Sequence, residues 1–362
     1  MEKILICSNS CIGLYKFRLE LIQELLKKSE IVISTPFDDN DIINKFKNLG
    51  CKLIKTSIDG RGMNPIKDFF LLLKYFFIIS KESPNIILTY TIKPNLYANV
   101  ISRLLGKKYI ITITGLGEAI YHKNLLSKIL LKLYKFVGKR AKWIFIQNED
   151  ILITLEKEKI LNDNYQLIRG SGVNLKKFSY NEYPDIVKNI TFICIGRILK
   201  IKGIDEILKV FRKLKNEKYN IELVILGSIG EKRYEEILLE YQKDNIINYI
   251  GEVPEVKIYL KKAHCLVHAA HSEGMSNVML EAAAMGLPLI ASDIPGCKEI
   301  IEDKKNGYIF NVGDEKDLYN KIVDFINLSY IEKKSMGLFS RKKVEKEFDR
   351  NIVIKNYLEQ IF

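Results

Sequence analysis

TFICIGRILKIKG, from Thr191 to Gly203, and SEGMSNVMLEAAAMG, from Ser272 to Gly286, are the two segments that decide the fold of this chain. The first segment begins with a short apolar run that is typical of a buried parallel strand, and Gly196 ends this run. Arg197 and Lys202 follow at the carboxyl end of the strand, where open α/β sheets bind their ligands. A guanidinium and an ammonium group can together neutralise a diphosphate without a metal ion.

The second segment follows another apolar run, HCLVHAA from His264, and predicts a helix from about Ser276 that Gly286 ends. The first-turn amides of such a helix point back toward the sheet edge and offer a second anion site. Glu273 lies just before the helix and Glu281 lies within it, among apolar neighbours. The two carboxylates therefore serve different parts of one ligand, and the pattern fits a diphosphate leaving group with a sugar on either side.

Strand-like runs alternate with helical stretches along the whole chain, which is the rhythm of doubly wound α/β domains. In the first half, the runs begin near Lys3, Glu30, Cys51, Asn85, Tyr109, Trp143 and Tyr165. A polar stretch with Gly and Pro from Gly170 interrupts the rhythm, which begins again at Asn189. Because 362 residues are too many for one comfortable core, we expect two Rossmann-like domains that face each other across a cleft.

The two segments resemble glycosyltransferase family 4, the retaining nucleotide-sugar transferases of GT-B fold. The resemblance rests on GR-x4-KG, which begins at Gly196, and on E-x7-E, which joins Glu273 to Glu281. The second motif begins the longer sequence EGMSNVMLEAAAMGLPLIASDIPGCKEII, and the resemblance covers residues 190–312. It implies an acceptor-binding domain at residues 1–168 and a nucleotide-sugar-binding domain at residues 169–343. It also implies that the last helix, within residues 344–362, crosses back onto the first domain.

The resemblance also implies roles for individual residues. Arg197 and Lys202 would hold the donor diphosphate, and Glu273 would face the transferred sugar, so these three residues form the expected catalytic set. Glu281 would bind the nucleotide ribose. The remaining donor-binding positions, in the phosphate loops and the base pocket, are Gly13, Gly196, Val253, Gly274, Met275, Ser276 and Asn277.

Three loops of the first domain are the expected neighbours of the ligands. The loop from Ser8 through Gly13 to Arg18 follows the first strand, and it carries one glycine where family members often have a pair. Lys93 follows the strand that ends near Thr91. The acceptor side is expected to comprise Lys93, Thr114, Gly115 and Glu118.

The TGLG sequence at residues 114–117 is informative in two ways. Many family members carry a histidine where Thr114 stands, and the TGLG form resembles a subgroup that builds capsule, O-antigen and lipid-linked oligosaccharides. Its G-x-G spacing lacks the third glycine of a dinucleotide fingerprint and follows the wrong strand, which argues against an oxidoreductase.

Other patterns predict structural roles. His264, His268 and His271 have metal-like spacing, but no cysteine or carboxylate quartet completes a zinc site. The six cysteines are scattered without a CxxC pair, so we expect small buried hydrophobic residues in a reducing compartment. The sequence DND at residues 39–41 follows the second strand and is expected to cap the next helix. No metal and no other cofactor is expected.

The charge is concentrated in the first domain. The chain has a net charge of +13, and residues 1–168 contain 26 basic and 16 acidic residues. Residues 123–142 contain seven basic residues and no acidic one, with apolar residues at helical spacing. This pattern predicts a basic amphipathic helix suited to an anionic membrane surface, and FFLLLKYFFII at residues 69–79 adds an aromatic patch. The alternative for both stretches is a core-facing helix with solvated lysines.

The remaining signals restrict where the protein acts. No run of about 18 apolar residues could span a bilayer, and no signal peptide precedes the first strand. We therefore expect a cytoplasmic protein that is peripheral on the inner face of the cell membrane. No nucleic-acid motif accompanies the positive charge, so nucleic acid is not an expected partner.

The expected function is transfer of a hexose or N-acetylhexosamine, with retention, from a UDP-linked sugar to a polyprenyl-diphosphate-linked saccharide. The expected partners are UDP-hexose or UDP-N-acetylhexosamine, the lipid-linked acceptor and an anionic membrane surface. One alternative is a nucleotide-sugar 2-epimerase of GT-B-like fold, which would need acid and base residues around the sugar. The other is a catalytically silent membrane-binding scaffold, against which the intact Arg, Lys and Glu set argues.

Overall fold

The structure, a computed structural model, describes residues 2–58, 64–116, 125–185 and 189–362. The chain divides into two compact units. One comprises Met1–Ser171 with Val353–Phe362, and the other comprises Gly172–Ile352. Each unit is built around one parallel sheet with apolar clusters on both of its faces. This α/β architecture is the one that the sequence predicted.

Seven parallel strands of the described residues form the sheet of the first unit. They are β1 (Glu2–Cys7), β2 (Ser29–Thr35), β3 (Lys52–Lys55), β4 (Ile86–Tyr90), β5 (Lys108–Ile113), β6 (Trp143–Ile146) and β7 (Tyr165–Leu167). Their order across the sheet is β3-β2-β1-β4-β5-β6-β7. Each strand coincides with a predicted run. The central strands β1, β4 and β5 are mostly apolar and buried, because a strand covered on both faces needs apolar side chains along its length.

Helices cover both faces of this sheet. From this part of the chain they are α1 (Cys11–Leu26), α2 (Asn40–Asn48), α3 (Pro65–Glu82), a π-helical turn (Pro94–Ala98), α4 (Asn99–Leu104), α5 (Leu125–Gly138) and α6 (Glu149–Lys157). The carboxyl-terminal helix at Arg350–Ile361 also packs in this unit. The Asp39 side chain accepts a hydrogen bond from the Ile42 amide, 2.9 Å away, and so caps α2 as predicted. Ser10 caps α1 in the same way, by accepting from the Gly13 amide.

The early start of α1 corrects one prediction. The sequence predicts a loop from Ser8 to Arg18 after β1, but Cys11 to Arg18 belong to the helix. The Ser10 cap is the physical reason, because its hydroxyl satisfies a first-turn amide and lets the helix begin at Cys11. Gly13 is therefore a residue of the first helical turn, and not part of an extended phosphate-binding loop.

Six parallel strands of the described residues form the sheet of the second unit. They are β8 (Ile190–Ile195), β9 (Ile221–Leu226), β10 (Asn248–Gly251), β11 (Cys265–His268), β12 (Leu289–Ser292) and β13 (Gly307–Phe310). Their order across the sheet is β10-β9-β8-β11-β12-β13. The helices after β8 are α7 (Ile204–Asn216), α8 (Tyr234–Lys243), α9 (Lys257–Leu260), α10 (Asn277–Ala284), α11 (Glu315–Asn327), α12 (Tyr330–Glu347) and α13 (Arg350–Ile361).

The carboxyl-terminal segment differs from its prediction. The sequence predicts one helix from about Val344 to Phe362, whereas the structure has α12 and α13 with a break at Phe348 and Asp349. The break forms because this segment pairs with the start of the second unit. The Val173 amide donates to the Phe348 carbonyl at 2.8 Å, and the Arg350 amide donates to the Val173 carbonyl at 3.0 Å.

Two further observations concern membranes and cysteines. Among the described helices, none combines the length and the apolar character needed to cross a bilayer. All six cysteines are buried and unpaired, which confirms the prediction that they are small hydrophobic side chains of the core.

Candidate active site

The predicted donor residues lie where the winding of the second sheet reverses. Strand β8 lies between β9 and β11, and the chain proceeds outward from it in one direction and then in the other. In open α/β sheets, this position at the carboxyl ends of the strands is the usual ligand site. Arg197 and Lys202 follow β8, and Glu273 and Ser276 follow β11, so both loops border the same reversal point.

Close backbone contacts hold these two loops together. Gly203 has a φ of 69°, and a Cβ at this position would lie 1.9 Å from the Ala269 carbonyl oxygen. Only glycine permits both the left-handed conformation and this approach. The His271 amide also donates to the Ile201 carbonyl at 2.8 Å. The Lys202 loop is thereby fixed against the loop that carries Glu273.

Four side chains meet at this point. The Lys202 Nζ and the Glu273 Oε1 form an ion pair at 2.5 Å. The His268 Nε2 lies 3.2 Å from the same Glu273 oxygen and 3.2 Å from the Ser276 hydroxyl. Because a carboxylate only accepts hydrogen bonds, the contact with Glu273 requires the hydrogen to be on Nε2 of His268. Glu273 is thus held by two donors, Lys202 from one loop and His268 from the end of β11.

The surroundings of Glu273 keep it ionised. Burial by itself raises the pKa of this carboxyl, but the hydrogen bond and charge of His268 and the ion pair with Lys202 outweigh burial and lower the pKa from 4.5 to about 2. A permanent negative charge beside Lys202 therefore belongs to the site at neutral pH. When an anionic ligand contacts Lys202, the ammonium group has to divide its hydrogen bonds between the ligand and Glu273.

The start of α10 is the predicted second anion site. Ser276 precedes the helix with extended backbone angles, yet its side chain makes no capping hydrogen bond and contacts His268 instead. The helix begins at Asn277, and its last turn is followed by Gly286 with a φ of 87°, which confirms the predicted helix. The Ser276 amide donates to the Gly296 carbonyl at 2.9 Å, which fixes the entry of the chain into the helix.

Gly274, Met275 and Glu281 have different environments. A Cβ on Gly296 would lie 2.4 Å from the Gly274 carbonyl oxygen, so the backbone at Gly274 is tightly covered by the loop after β12. Met275 is buried in the apolar cluster of this face. Glu281 is 8% exposed, which confirms that it does not lie on a solvated helix face. A role in binding the ribose stays a prediction.

Arg197, Gly196 and Val253, which are also predicted to bind the donor, follow β8 and β10 at the same edge of the sheet. Arg197 is exposed, and no ion pair or hydrogen bond joins its side chain to another residue in the described part of the chain. The Gly196 amide donates to the Leu226 carbonyl at 2.9 Å. Val253 follows β10 and packs half-buried against the apolar cluster. The structure therefore brings Lys202, Glu273 and Ser276 together, and leaves Arg197 without a direct contact to them.

In the first unit, an acidic side chain occupies the start of α1. The Asp38 carboxylate accepts from the Ser10 hydroxyl at 2.8 Å and from the Cys11 amide at 3.0 Å. Burial raises the pKa of Asp38, but the hydrogen bonds from Cys11 and Ser10 lower it below its ordinary value. The helix end that follows β1 thus already holds a negative group.

Among the described residues, no side-chain hydrogen bond or ion pair joins Lys93 to Thr114 or Gly115. The Lys93 Nζ forms an ion pair with Asp68 of α3 at 2.7 Å, and the Tyr97 hydroxyl donates to the other Asp68 oxygen at 2.9 Å. Thr114 and Gly115 follow β5 and are half-buried. Glu118, like Gly117 before it, lies outside the described residues.

His268 and Asp68 are not among the site residues predicted from the sequence. The sequence offers no metal role for His268, which is only 6% exposed and is the last residue of β11. That terminal position at the ligand edge was the available signal. The two other histidines have different partners: His264 accepts from the Thr191 amide, and His271 contacts Glu206 at 2.7 Å. Among the described residues, no group of three His, Cys, Asp or Glu side chains could hold a metal ion.

Comparisons with known protein families agree with this geometry. Residues 178–343 match the model of "Glycosyl transferases group 1", which contains the two segments at the reversal point. Residues 3–148 match the model of "Glycosyl transferase 4-like". The two matches cover most of both sheets.

Similar proteins span nearly the whole chain. One is the N,N'-diacetylbacillosaminyl-diphospho-undecaprenol alpha-1,3-N-acetylgalactosaminyltransferase of Campylobacter jejuni, 25% identical over 97% of this chain and 96% of that protein. Another is the capsular polysaccharide biosynthesis glycosyltransferase CapM of Staphylococcus aureus, 24% identical over 91% of this chain and 89% of that protein. The crystal structure of Anabaena HepE in complex with UDP has a TM-score of 0.82, 13% identity and coverage of 100% and 99% of the two chains. The chain is therefore a glycosyltransferase of GT-B fold, with a 4-like amino-terminal domain and a group 1 carboxyl-terminal domain.

Proposed function

We propose that the protein transfers a hexose or N-acetylhexosamine, with retention of configuration, from a UDP-linked sugar to a polyprenyl-diphosphate-linked saccharide. The observation that carries this proposal is the meeting of Lys202, Glu273 and His268 beside the start of α10. It provides a cation, an ionised carboxylate and a helix amino terminus at one ligand edge. The cation and the helix amino terminus can bind a nucleotide diphosphate, and the carboxylate can face its sugar.

The leaving group is the centre of the proposed mechanism. Lys202 and Arg197 stabilise the charge that develops on the diphosphate as the bond from the anomeric carbon to the phosphate oxygen breaks. The acceptor hydroxyl attacks on the same face, and its proton passes to an oxygen of the departing diphosphate. Glu273 faces the transferred sugar, and its ionised state favours positive charge on the sugar ring. No step requires a metal ion, so activity should persist in a chelator.

Two kinds of support extend the proposal to the substrates. The Campylobacter relative is named for an undecaprenyl-diphosphate-linked acceptor, and HepE was crystallised with UDP. The excess of basic residues in the first domain also suits an acceptor that is presented at an anionic membrane surface. We place the enzyme at the inner face of the cell membrane on these grounds.

The decisive experiment supplies radiolabelled UDP sugars together with a bacterial lipid extract. We expect label in the lipid fraction, and the anomeric coupling constant of the product should show the configuration of the donor. A changed free sugar would instead indicate a 2-epimerase. No product in either fraction across UDP-glucose, UDP-galactose and their N-acetylated forms would contradict the proposed function.

The separate roles of the two carboxylates provide a second test. Glu281→Gln should raise the KM for the donor more than it lowers kcat, because ribose contacts exist in both the ground and transition states. Glu273→Gln should mainly lower kcat, because the charge matters most as the sugar becomes positive. The reverse pattern in steady-state kinetics would contradict the assignments.

A further inference from the structure

Helix α3 presents its apolar stripe to the outside of the first unit. Six large apolar side chains follow one another at helical spacing, and each is between 39% and 69% exposed. They are Ile66, Phe69, Phe70, Leu73, Phe76 and Phe77. The opposite face of the helix packs into the core through Leu71, Tyr75, Ile78 and Ile79. A contiguous exposed stripe of this kind marks an interaction surface, whereas single exposed apolar residues do not.

A row of lysines borders the stripe on one side. Lys67, Lys74 and Lys81 are exposed and recur every seven residues, which places them about 10 Å apart along the helix. Two grooves of about 630 and 540 Å³ lie between this side of α3 and the edge of the sheet. Lys55 and Lys52 of the edge strand β3 line the same grooves. The surface therefore combines aromatic rings with a band of positive charge.

The two acidic residues of α3 do not offset this charge. Asp68 is held by Lys93 at 2.7 Å. Glu82 is buried beneath Lys52, whose Nζ lies 2.8 Å from its carboxylate, with Lys3 at 3.6 Å. The pKa of Glu82 is lowered by the hydrogen bond from Lys52, so this carboxylate remains ionised and paired. The outward face of α3 is thus left apolar and cationic.

We propose that the outward face of α3 docks on an anionic lipid bilayer. The aromatic stripe enters the interface between headgroups and acyl chains, and the lysines extend along the helix surface to the lipid phosphates. This deepens the proposed function and rests on it, because a polyprenyl-linked acceptor is presented at that surface. Charge complementarity selects the bilayer over a second copy of this chain, since two such cationic faces would repel each other.

Helix α5 has the opposite arrangement, although its sequence made it the expected membrane helix. Its Tyr134 and Val137 are buried in the core, while Lys128 and Lys132 are exposed. Among its described side chains, Ile129 and Phe136 are the large apolar ones that are substantially exposed, at 47% and 38%. Helix α5 therefore contributes attraction by charge, whereas α3 contributes insertion.

The test uses the full chain and vesicles of phosphatidylcholine with or without phosphatidylglycerol. The variant F69Q/F70Q/F77Q removes three exposed rings and should leave the core intact. Its partition coefficient onto the anionic vesicles, measured by flotation, should fall by about 100-fold. Partial burial of each ring in the bilayer should strengthen binding several-fold, and three rings are lost. The matched control is L239Q/I258Q/I331Q, which changes three exposed apolar residues of the second unit and should float like the unmodified chain.

A second measurement reports insertion directly. Tryptophan fluorescence of the Phe77→Trp variant should be quenched by lipids brominated near the headgroup end of the acyl chain, and that of an Ile331→Trp variant should not. Reversal of Lys128, Lys132, Lys135 and Lys139 to Glu in the Phe77→Trp variant should weaken its binding at low salt, while bromolipid quenching of the fraction that remains bound persists. Equal flotation by the glutamine variant and the unmodified chain would overturn the proposal.

Two further outcomes separate this proposal from its alternatives. If the unmodified chain is a dimer in solution that F69Q/F70Q/F77Q converts to a monomer, and neither floats, then the stripe is a subunit interface and the proposal fails. Activity on a short water-soluble acceptor should be equal in the glutamine variant and the unmodified chain. Flotation without transfer to any acceptor would contradict the proposed function but support the docking surface. Transfer without flotation would support the proposed function but contradict the docking surface.

Discussion

The ligand edges of the two sheets differ in how completely their side chains are assembled. At the second sheet, Lys202, Glu273 and His268 contact one another across two loops that glycine contacts hold together. At the first sheet, Lys93 is engaged by Asp68, and the start of α1 is occupied by Asp38. Because every nucleotide-diphosphate sugar contains the same diphosphate group, a preformed ionic site can bind it. The edge of the first sheet, which is proposed to bind the acceptor, presents charges that are already paired within the unit.

The largest effect should follow loss of a phosphate cation in the second unit. Lys202→Ala or Arg197→Ala should lower kcat by about 100- to 1000-fold, because one donor to the developing charge is lost. Steady-state kinetics with a saturating donor measures this effect. Lys200→Ala is the matched control, since its exposed side chain lies on the same turn. Near-normal turnover in the Lys202 variant would remove the contrast between the two edges.

Glycine substitutions compare the rigidity of the two edges. Gly203→Ala should lower the free energy of unfolding by about 2 to 3 kcal/mol, because the new Cβ meets the Ala269 carbonyl in a left-handed backbone conformation. Gly13→Ala should raise it by up to about 1 kcal/mol, because this helical position has room for a methyl group. Urea unfolding followed by circular dichroism distinguishes the two. Equal effects would show that the loop contact is not a constraint.

The ionised state of Glu273 gives a pH prediction. Its pKa is lowered in the folded chain, so its contribution to stability is present above pH 4.5 and is lost as the pH falls toward 2. His268→Leu removes one donor to Glu273, so the pKa of Glu273 should rise and the stability should begin to fall at a higher pH. At pH 4 the free energy of unfolding should be about 1 to 2 kcal/mol lower than in the unmodified chain. Urea midpoints between pH 3 and 7 measure this shift. In a Glu273→Gln background, His268→Leu should no longer change how stability depends on pH. A change that persists in this background would show that a group other than Glu273 causes it.

The smallest effect is expected at the acceptor edge. Lys93→Ala should raise the KM for the acceptor by about 10-fold or less, because its ammonium group is shared with Asp68 and contributes a single charged contact. Calorimetry should show unchanged UDP affinity. A parallel loss of UDP binding would make Lys93 a donor-side or structural residue, and the two edges would then no longer be functionally distinct.

The strands were predictable because a parallel sheet covered on both faces requires continuous apolar runs, and each run in this chain is bounded by polar residues or glycine. The donor segments were predictable for a related reason. Their charged residues lie at fixed distances from strand ends and glycine turns, so local sequence positions them at the sheet edge. The α1 start was predicted less well, because a single Ser10 hydroxyl decides where that helix begins.

The sequence by itself determined the two α/β units and the glycosyltransferase segments, and it placed Lys202 and Glu273 at the carboxyl edge of a sheet, since strand spacing and turn chemistry are local properties. Only the tertiary structure decided that His268 and Lys202 converge on Glu273, that Asp68 binds Lys93, and that α3 rather than α5 exposes its apolar stripe. Both helices are amphipathic in sequence, and periodicity alone does not state which face meets the core. Which face of each helix is buried depends on the sheet and helices that pack against it. Residues distant in the chain supply these packing partners.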